Sequence, residues 1–277
     1  MTLSDKLMER YGKKHLSYSS IKQALGDMRK FDKYMKGEIK YSSTALSFGT
    51  LYDDMLFMSE EEFKKSYYCI DEEAVIGGLS DKSKDSKNTK ATKEYKEAIE
   101  AIKNSNESST LVSVQDMDMA RDMVSRLEDC GLRASHLTGQ FQVEFLEELP
   151  DDNGEPVLVK GFLDCLGDGF ITDSKSAASV QKFGYAVRDF CYDIQAYIYT
   201  KVFGVDEFYW VVQEKTDPYL PALVKCTDKT IFSGEMKFYD ATSRINEFSA
   251  PPFKVNNLKL PSSVPSLTSV KCTLNLQ

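Results

Sequence analysis

Few of the 43 acidic and 35 basic side chains in this 277-residue chain are spaced for chemistry, but one set stands apart. Asp164 closes the apolar run VLVKGFLD, and Asp173 and Lys175 follow the apolar core of FITDSK, with eight residues between the two acids. Acid-x-Lys triplets are common by chance, and others begin at Glu38, Glu62, Asp85, Glu94 and Glu235. Those five sit in helical or polar surroundings, where side chains two apart diverge. On a strand, residues i and i+2 share a face, so Asp173 and Lys175 project together, and a GDG turn after Asp164 brings the chain back beside it. Two carboxylates and an ammonium then converge at the edge of a sheet. That set suits phosphodiester hydrolysis. Hard oxygen ligands hold Mg²⁺ or Mn²⁺, the ion neutralises charge on the scissile phosphate, and the lysine helps orient and deprotonate the attacking water. Glu144, on the alternating run QVEFLEEL, is a candidate further carboxylate. The plainer alternative makes Asp164 and Asp173 strand-end turn residues and Lys175 a surface charge.

The elements that must position these residues follow from periodicity. FQVEFLEEL alternates, DDNGEP turns, VLVKGFLDCLG and FITDSKSA read as strands, and EFYWVVQEK as a further buried strand. Between the last two, a helix is expected over roughly Val180 to Phe203, and a last helix over Ser233 to Glu247. Upstream the chain reads as largely helical. A first helix covers IKQALGDMRKFDKYM, with Ser20 and Gln23 as a capping box; a buried helix covers TALSFGTLYDDMLFM; Ser59 and Glu62 mark another start. A strand then a loop are expected from Lys64 to Ile76, and helices over Glu94 to Lys103 and Val114 to Cys130, the latter burying its methionines. The expectation is one α/β domain over residues 1–250, with a helical N-terminal part (1–139) and a motif-bearing core (140–250). Residues 251–277, rich in Pro, Ser, Asn and Lys, read as an arm or a disordered tail.

Composition narrows the function classes. A net charge of −8 argues against gripping nucleic acid by bulk charge. Gly and Pro, 15 and 8 residues, exclude a collagen-like or low-complexity chain. No apolar run approaches the roughly 18 residues that span a bilayer and the start lacks a signal-peptide core, so a cytoplasmic protein without membrane contact is expected. Six scattered cysteines without a CxxC pair, and two histidines, give neither a zinc finger nor a disulfide framework; reduced, mostly buried thiols are expected. The most basic stretch, SDKSKDSKNTKATKEYK, carries Lys82, Lys84, Lys87, Lys90, Lys93 and Lys96.

KGFLD, ITDSK and YDIQAYIY together resemble the PD-(D/E)xK nuclease signature of the RecB-type group, in which the Asp and DxK motifs precede a helix bearing QxxxY, here Gln195 and Tyr199. LSYSSIKQAL, ALSFGTLYDDMLF, the lysine-rich segment, LVSVQDMDMARDMV, QFQVEF and YWVVQEKTDPY follow in the order of phage and prophage exodeoxyribonuclease VIII-like (RecE-like) proteins, over roughly residues 16 to 250. The resemblance implies an α/β PD-(D/E)xK core, a small central mixed sheet flanked by helices. It implies an Mg²⁺-dependent exonuclease, with Mn²⁺ as the alternative ion, that resects one strand of linear duplex DNA 5′→3′ and leaves a 3′ strand for a single-strand annealing recombinase. Asp164 and Asp173 then match the metal-binding acids, Lys175 the catalytic lysine, the Ser174 carbonyl an added ligand and Glu144 the upstream acid. Gln195 and Tyr199 match residues supporting the site and the DNA backbone.

In the second helix the family's GxxxH reads Gly49 to Asp53, so Asp53 takes the histidine position, where it can bind a hard metal directly or leave the site inactive. Gly49 reads either as permitting close helix packing or as an accommodation. Lys82, Lys84, Lys87 and Lys90 become candidate DNA contacts. No iron-sulfur cluster is expected, because Cys226 and Cys272 are isolated. The family implies double-stranded DNA ends as substrate, a ring-like homo-oligomer, and the cytoplasm of a bacterial host if phage encoded. Alternatives are a single-strand nuclease or endonuclease of the same fold, and a degenerate module that binds DNA ends without cutting.

Overall fold

The protein is described by a computed structural model over residues 2–39 and 44–248. The expected arm at 251–277, with Cys272, lies outside the described residues.

The chain opens with α1 (Leu3–Tyr11), which sequence periodicity missed; Thr2 and Asp5 cap it reciprocally. The expected first helix is two, α2 (Tyr18–Gly26) and α3 (Met28–Met35), because Asp27 leaves helical geometry and caps α3 by accepting from the Arg29 amide. The cap of α2 is Ser17, paired with Ser20, and not Ser20 with Gln23. Next come α4 (Thr44–Phe57) and α5 (Glu60–Ser66), the latter with the expected Ser59–Glu62 capping box.

A small unit follows: β1 (Tyr67–Ile70), α6 (Glu72–Gly77) where a loop was expected, α7 (Asp81–Lys84), a short 3-10 turn at Thr89–Ala91, α8 (Lys93–Ser105) and β2 (Thr110–Ser113). β1 and β2 pair in parallel as a two-stranded sheet. α9 (Val114–Asp129) buries Met117, Ala120, Met123 and Leu127 in one stripe, as its periodicity requires. After α10 (Leu132–His136) come β3 (Gln140–Pro150), β4 (Pro156–Leu166), β5 (Phe170–Ala177), α11 (Phe183–Phe190), α12 (Tyr192–Phe203), β6 (Glu207–Glu214), β7 (Pro221–Lys225) and α13 (Asp228–Phe248).

The main sheet runs β3-β4-β5-β6-β7, antiparallel except for the parallel β5–β6 pair that α11 and α12 bridge. Along β6, Phe208, Trp210 and Val212 enter one core with α1, α2, α12 and α13, while Val211 enters a second core with α4 and α9. Helices therefore cover both faces, and the site sits where the sheet opens between them. Among the described residues no helix is long and apolar enough to cross a membrane. Of the described cysteines, all free, Cys165 and Cys226 are buried while Cys69 and Cys130 are exposed, so the thiols are less uniformly buried than expected.

Candidate active site

β4 and β5 pair only at Cys165–Thr172 and Leu166–Ile171, then part. β4 also rolls at this point. Leu163 belongs to the α12 side and Cys165 to the α4 side, whereas residues two apart on a regular strand share a face. Opposite the roll, Gln142 of β3 has φ +49°. Asp164 lies at the roll, and its carboxylate enters the gap to accept the Ser174 amide at 2.9 Å. One side chain thus replaces the missing ladder bond and tethers the two motif strands.

On β5, Asp173 and Lys175 fall on the α12 side together, as strand spacing demands, and form an ion pair. Lys175 Nζ also donates to the Ser174 carbonyl at 3.2 Å and sits 5.2 Å from the centre of the Tyr192 ring. Burial pushes Asp173 up to about 7, against the pull of Lys175 and with the Asp164 charge adding to the rise. Burial works against the Lys175 ammonium, but the Asp173 and Asp164 charges outweigh it and hold the lysine protonated. Lys175 is therefore a positioned cation in the metal-free site.

α12 supplies the support behind the acids. Gln195 Nε2 donates to Asp173 Oδ1 at 2.7 Å and to Tyr199 Oη at 3.2 Å, and Tyr199 Oη donates to the Phe162 carbonyl of β4 at 2.7 Å. The chain of bonds locks α12 to both motif strands. Gln195 and Tyr199 are only 8% and 5% exposed, so they orient the acid from behind. The periodicity that puts Gln195 and Tyr199 on one face also puts Tyr192 there, three residues before Gln195. That spacing was a legible signal for Tyr192, which stacks obliquely near Tyr18 of α2.

From the opposite face α4 brings Asp53. Burial first, then the Asp164 charge, drives its carboxyl well above the usual carboxylate range; Lys175 opposes and Asp173 adds. Asp53 thus lies near enough to feel the charges of the other two acids. Its neighbour Tyr52 donates to Gln213 Oε1 of β6 at 2.6 Å and anchors α4 on the sheet. Gly49 has open space where a Cβ would stand, so helix packing does not require glycine there.

Two groups of expected residues are not brought to this cluster. Glu144 is exposed on β3 and pairs with Lys160 at 2.6 Å, because β3 lies one strand further out than the β4–β5 gap. Lys82, Lys84, Lys87 and Lys90 lie in the α7 to α8 unit, where Lys90 pairs with Glu72 at 2.5 Å.

The donor set fits a hard divalent ion. Three carboxylates share one ammonium, two of them are held above their ordinary range by burial and like charge, and the buried Gln195 Oε1 has no hydrogen-bond partner. Among the described residues no three His, Cys, Asp or Glu side chains are drawn into a ready metal cage; Lys175 holds Asp173, and Asp164 holds the Ser174 amide.

The family described as "PDDEXK-like domain of unknown function (DUF3799)" matches residues 17–251, which include every element of this site. The chain belongs to this PDDEXK-like family. Its fold is shared with a crystal structure from Eubacterium rectale described as a candidate exonuclease, at TM-score 0.59 and 19% identity, covering 88% of this chain and 83% of that one. A second crystal structure, of SSO0001, matches at TM-score 0.32 and 12% identity over 77% of this chain and 90% of that one, a likeness too remote to argue from. No curated protein matches the sequence. The PDDEXK-like assignment makes the α/β architecture that of a nuclease class that generally uses divalent metals.

Proposed function

We propose that this PDDEXK-like protein is a divalent-metal-dependent exodeoxyribonuclease that hydrolyses phosphodiester bonds from the ends of linear double-stranded DNA, 5′→3′, leaving 3′ single strands for phage-type recombination. The observation that carries the reading is the meeting of Asp164, Asp173 and Lys175 in the gap where β4 and β5 part, tied to α12 through Gln195. The Eubacterium rectale structure, described as a candidate exonuclease, supports action from an end.

Asp164 and Asp173 would hold the ion, with the Ser174 carbonyl and Asp53 beside them; Mg²⁺, or Mn²⁺, would supply charge neutralisation at the scissile phosphate and a water of lowered pKa. Lys175, held cationic, binds a phosphate oxygen and stabilises charge that grows there in the transition state. Gln195 keeps Asp173 oriented with one oxygen free of its amide. Burial of Asp173 and the carboxylate crowding around it keep the site unfavourable to phosphate until a cation is bound. Double-stranded DNA ends are the proposed substrate, a single-strand annealing protein the proposed partner, a ring-like homo-oligomer the proposed assembly, and the bacterial cytoplasm the proposed compartment.

The test is incubation of the purified protein with end-labelled linear duplex and with closed circular DNA, in Mg²⁺, in Mn²⁺ and in EDTA, beside Asp173→Ala. Progressive loss of linear duplex only, abolished by EDTA and reduced at least about a thousandfold by the substitution, is expected. Cutting of circles would replace the exonuclease with an endonuclease. Binding without turnover in either metal would leave a DNA-end-binding module.

A further inference from the structure

The β4 segment just before Asp164 carries a feature that hydrolysis itself does not use. Phe162 is 51% exposed, two residues before the first motif acid. Leu163 fills the α12-side core, so by strand alternation Phe162 points to the other face, the side from which α4 brings Asp53. That face of the β3–β4 hairpin is open: Leu146 beside it is 52% exposed. The ring is not on a loose edge. Its own carbonyl accepts from Tyr199 Oη, whose partner Gln195 holds Asp173, so the position of Phe162 is referenced to the reacting centre. A cation stands next to it: Lys160 Nζ lies 5.9 Å from the ring centre, where it also pairs with Glu144 of β3. Leu16 pairs with Val159, which brings the Lys13 to Ser17 segment against β4 where β5 has left it.

We propose that Phe162 is a stacking platform for one unpaired base of the DNA strand entering the site, with Lys160 exchanging its exposed Glu144 partner for the adjoining phosphate. A single exposed aromatic is ordinary on a protein surface. An aromatic face paired with an ammonium, on an open floor and rigidly tied to a phosphodiester-cleaving centre, is the combination that holds single-stranded nucleic acid: the ring takes any base and the cation takes the backbone. At a duplex end, the platform would favour the frayed terminal nucleotide over its paired state. The inference rests on the nuclease reading and adds a residue that positions substrate.

The test compares Phe162→Ala and Phe162→Trp in an Asp173→Ala background, which removes turnover. Fluorescence anisotropy with Mg²⁺ measures binding of labelled dT12 and of an abasic strand of the same length. Phe162→Ala should weaken dT12 binding about tenfold, leave abasic binding unchanged, and be rescued by Phe162→Trp. Equal binding of dT12 by Phe162→Ala, or an equal loss on both strands, would overturn the proposal. The duplex assay on the wild-type protein reports separately on the nuclease reading: wild-type cutting without Phe162-dependent binding sinks the platform alone.

Discussion

Gln195 directs its amide group at Asp173 and at Tyr199; without that amide Asp173 keeps its ion pair with Lys175 but loses the donor on Oδ1. Replacing it with Leu keeps volume and burial while removing the donor. Metal affinity or kcat should fall about 10–100-fold, the usual cost of losing a group that orients a metal ligand, with DNA binding preserved; calorimetric Mg²⁺ titration checks it. Asp173 also sets a pH dependence. Its folded value, about 7, stands above the ordinary 3.8, so in the metal-free protein its contribution to stability is present below about 4 and lost as pH rises through about 7. A metal needs the carboxylate form, so affinity should move the opposite way and rise over the same interval. Urea midpoints at pH 5 and pH 8, with and without Mg²⁺, should show the ion stabilising more at pH 8, and Asp173→Asn should flatten that difference. At this scale residue type and strand spacing made Asp164, Asp173 and Lys175 legible. Asp53 and Glu144 were equally plausible acids, and only packing separated them: α4 lies against the gap, while β3 is one strand away from it.

At the scale of elements, the helix expected over Val180 to Phe203 is broken at Cys191, whose φ of +57° is a left-handed conformation that a non-glycine side chain resists. Sequence periodicity could not show the break because apolar residues continue through it. The break starts α12 at Tyr192 and so presents Tyr192 to Lys175 and Gln195 to Asp173. What keeps α12 there is α13. A Cβ on Gly234 would stand 2.0 Å from the Asp193 carbonyl oxygen, so α13 can approach α12 only with glycine at that position. Lys237 and Ser233 of the same helix hold Asp193, at 2.6 and 2.7 Å. Gly234→Ala should destabilise the protein by about 3 kcal/mol, the cost of forcing atoms into a packed interface, read as a lower urea midpoint. Activity should drop with it if the displaced α12 carries Gln195 away from Asp173. β7 and β2, short strands without strong alternation, were likewise invisible until their partners β6 and β1 were in place.

For the whole molecule, the net charge of −8 includes the three carboxyl groups gathered at the site. Asp53, Asp164 and Asp173 gather three carboxyl groups around a single ammonium, and a bound cation, which takes them as carboxylates, would turn the site favourable to phosphate. The lysine-rich segment stands in a separate unit, and Lys90 is already paired with Glu72. Replacing Lys84, Lys87 and Lys90 together with Ala should therefore weaken DNA binding and reduce the slope of log K against log salt by about 2 rather than 3, since each phosphate contact contributes about 0.9; binding isotherms from 50 to 200 mM salt check it. An unchanged slope would remove the segment from the DNA path. The sequence alone determined the α/β class, most of the helices and central strands, and the Asp and DxK spacing, because these rest on local periods of 2 and 3.6 residues and on fixed short spacings; the QxxxY pair was read through the resemblance to a nuclease family. The tertiary structure decided the parting and roll of β4 that seats Asp164 on the Ser174 amide, the arrival of Asp53, the diversion of Glu144 to Lys160 and the clamp of Gln195 on Asp173. Each of those contacts joins residues brought together by the packing of separate elements, and hydrophobic burial on two faces of one sheet selects that packing without leaving a signature in any single stretch of sequence.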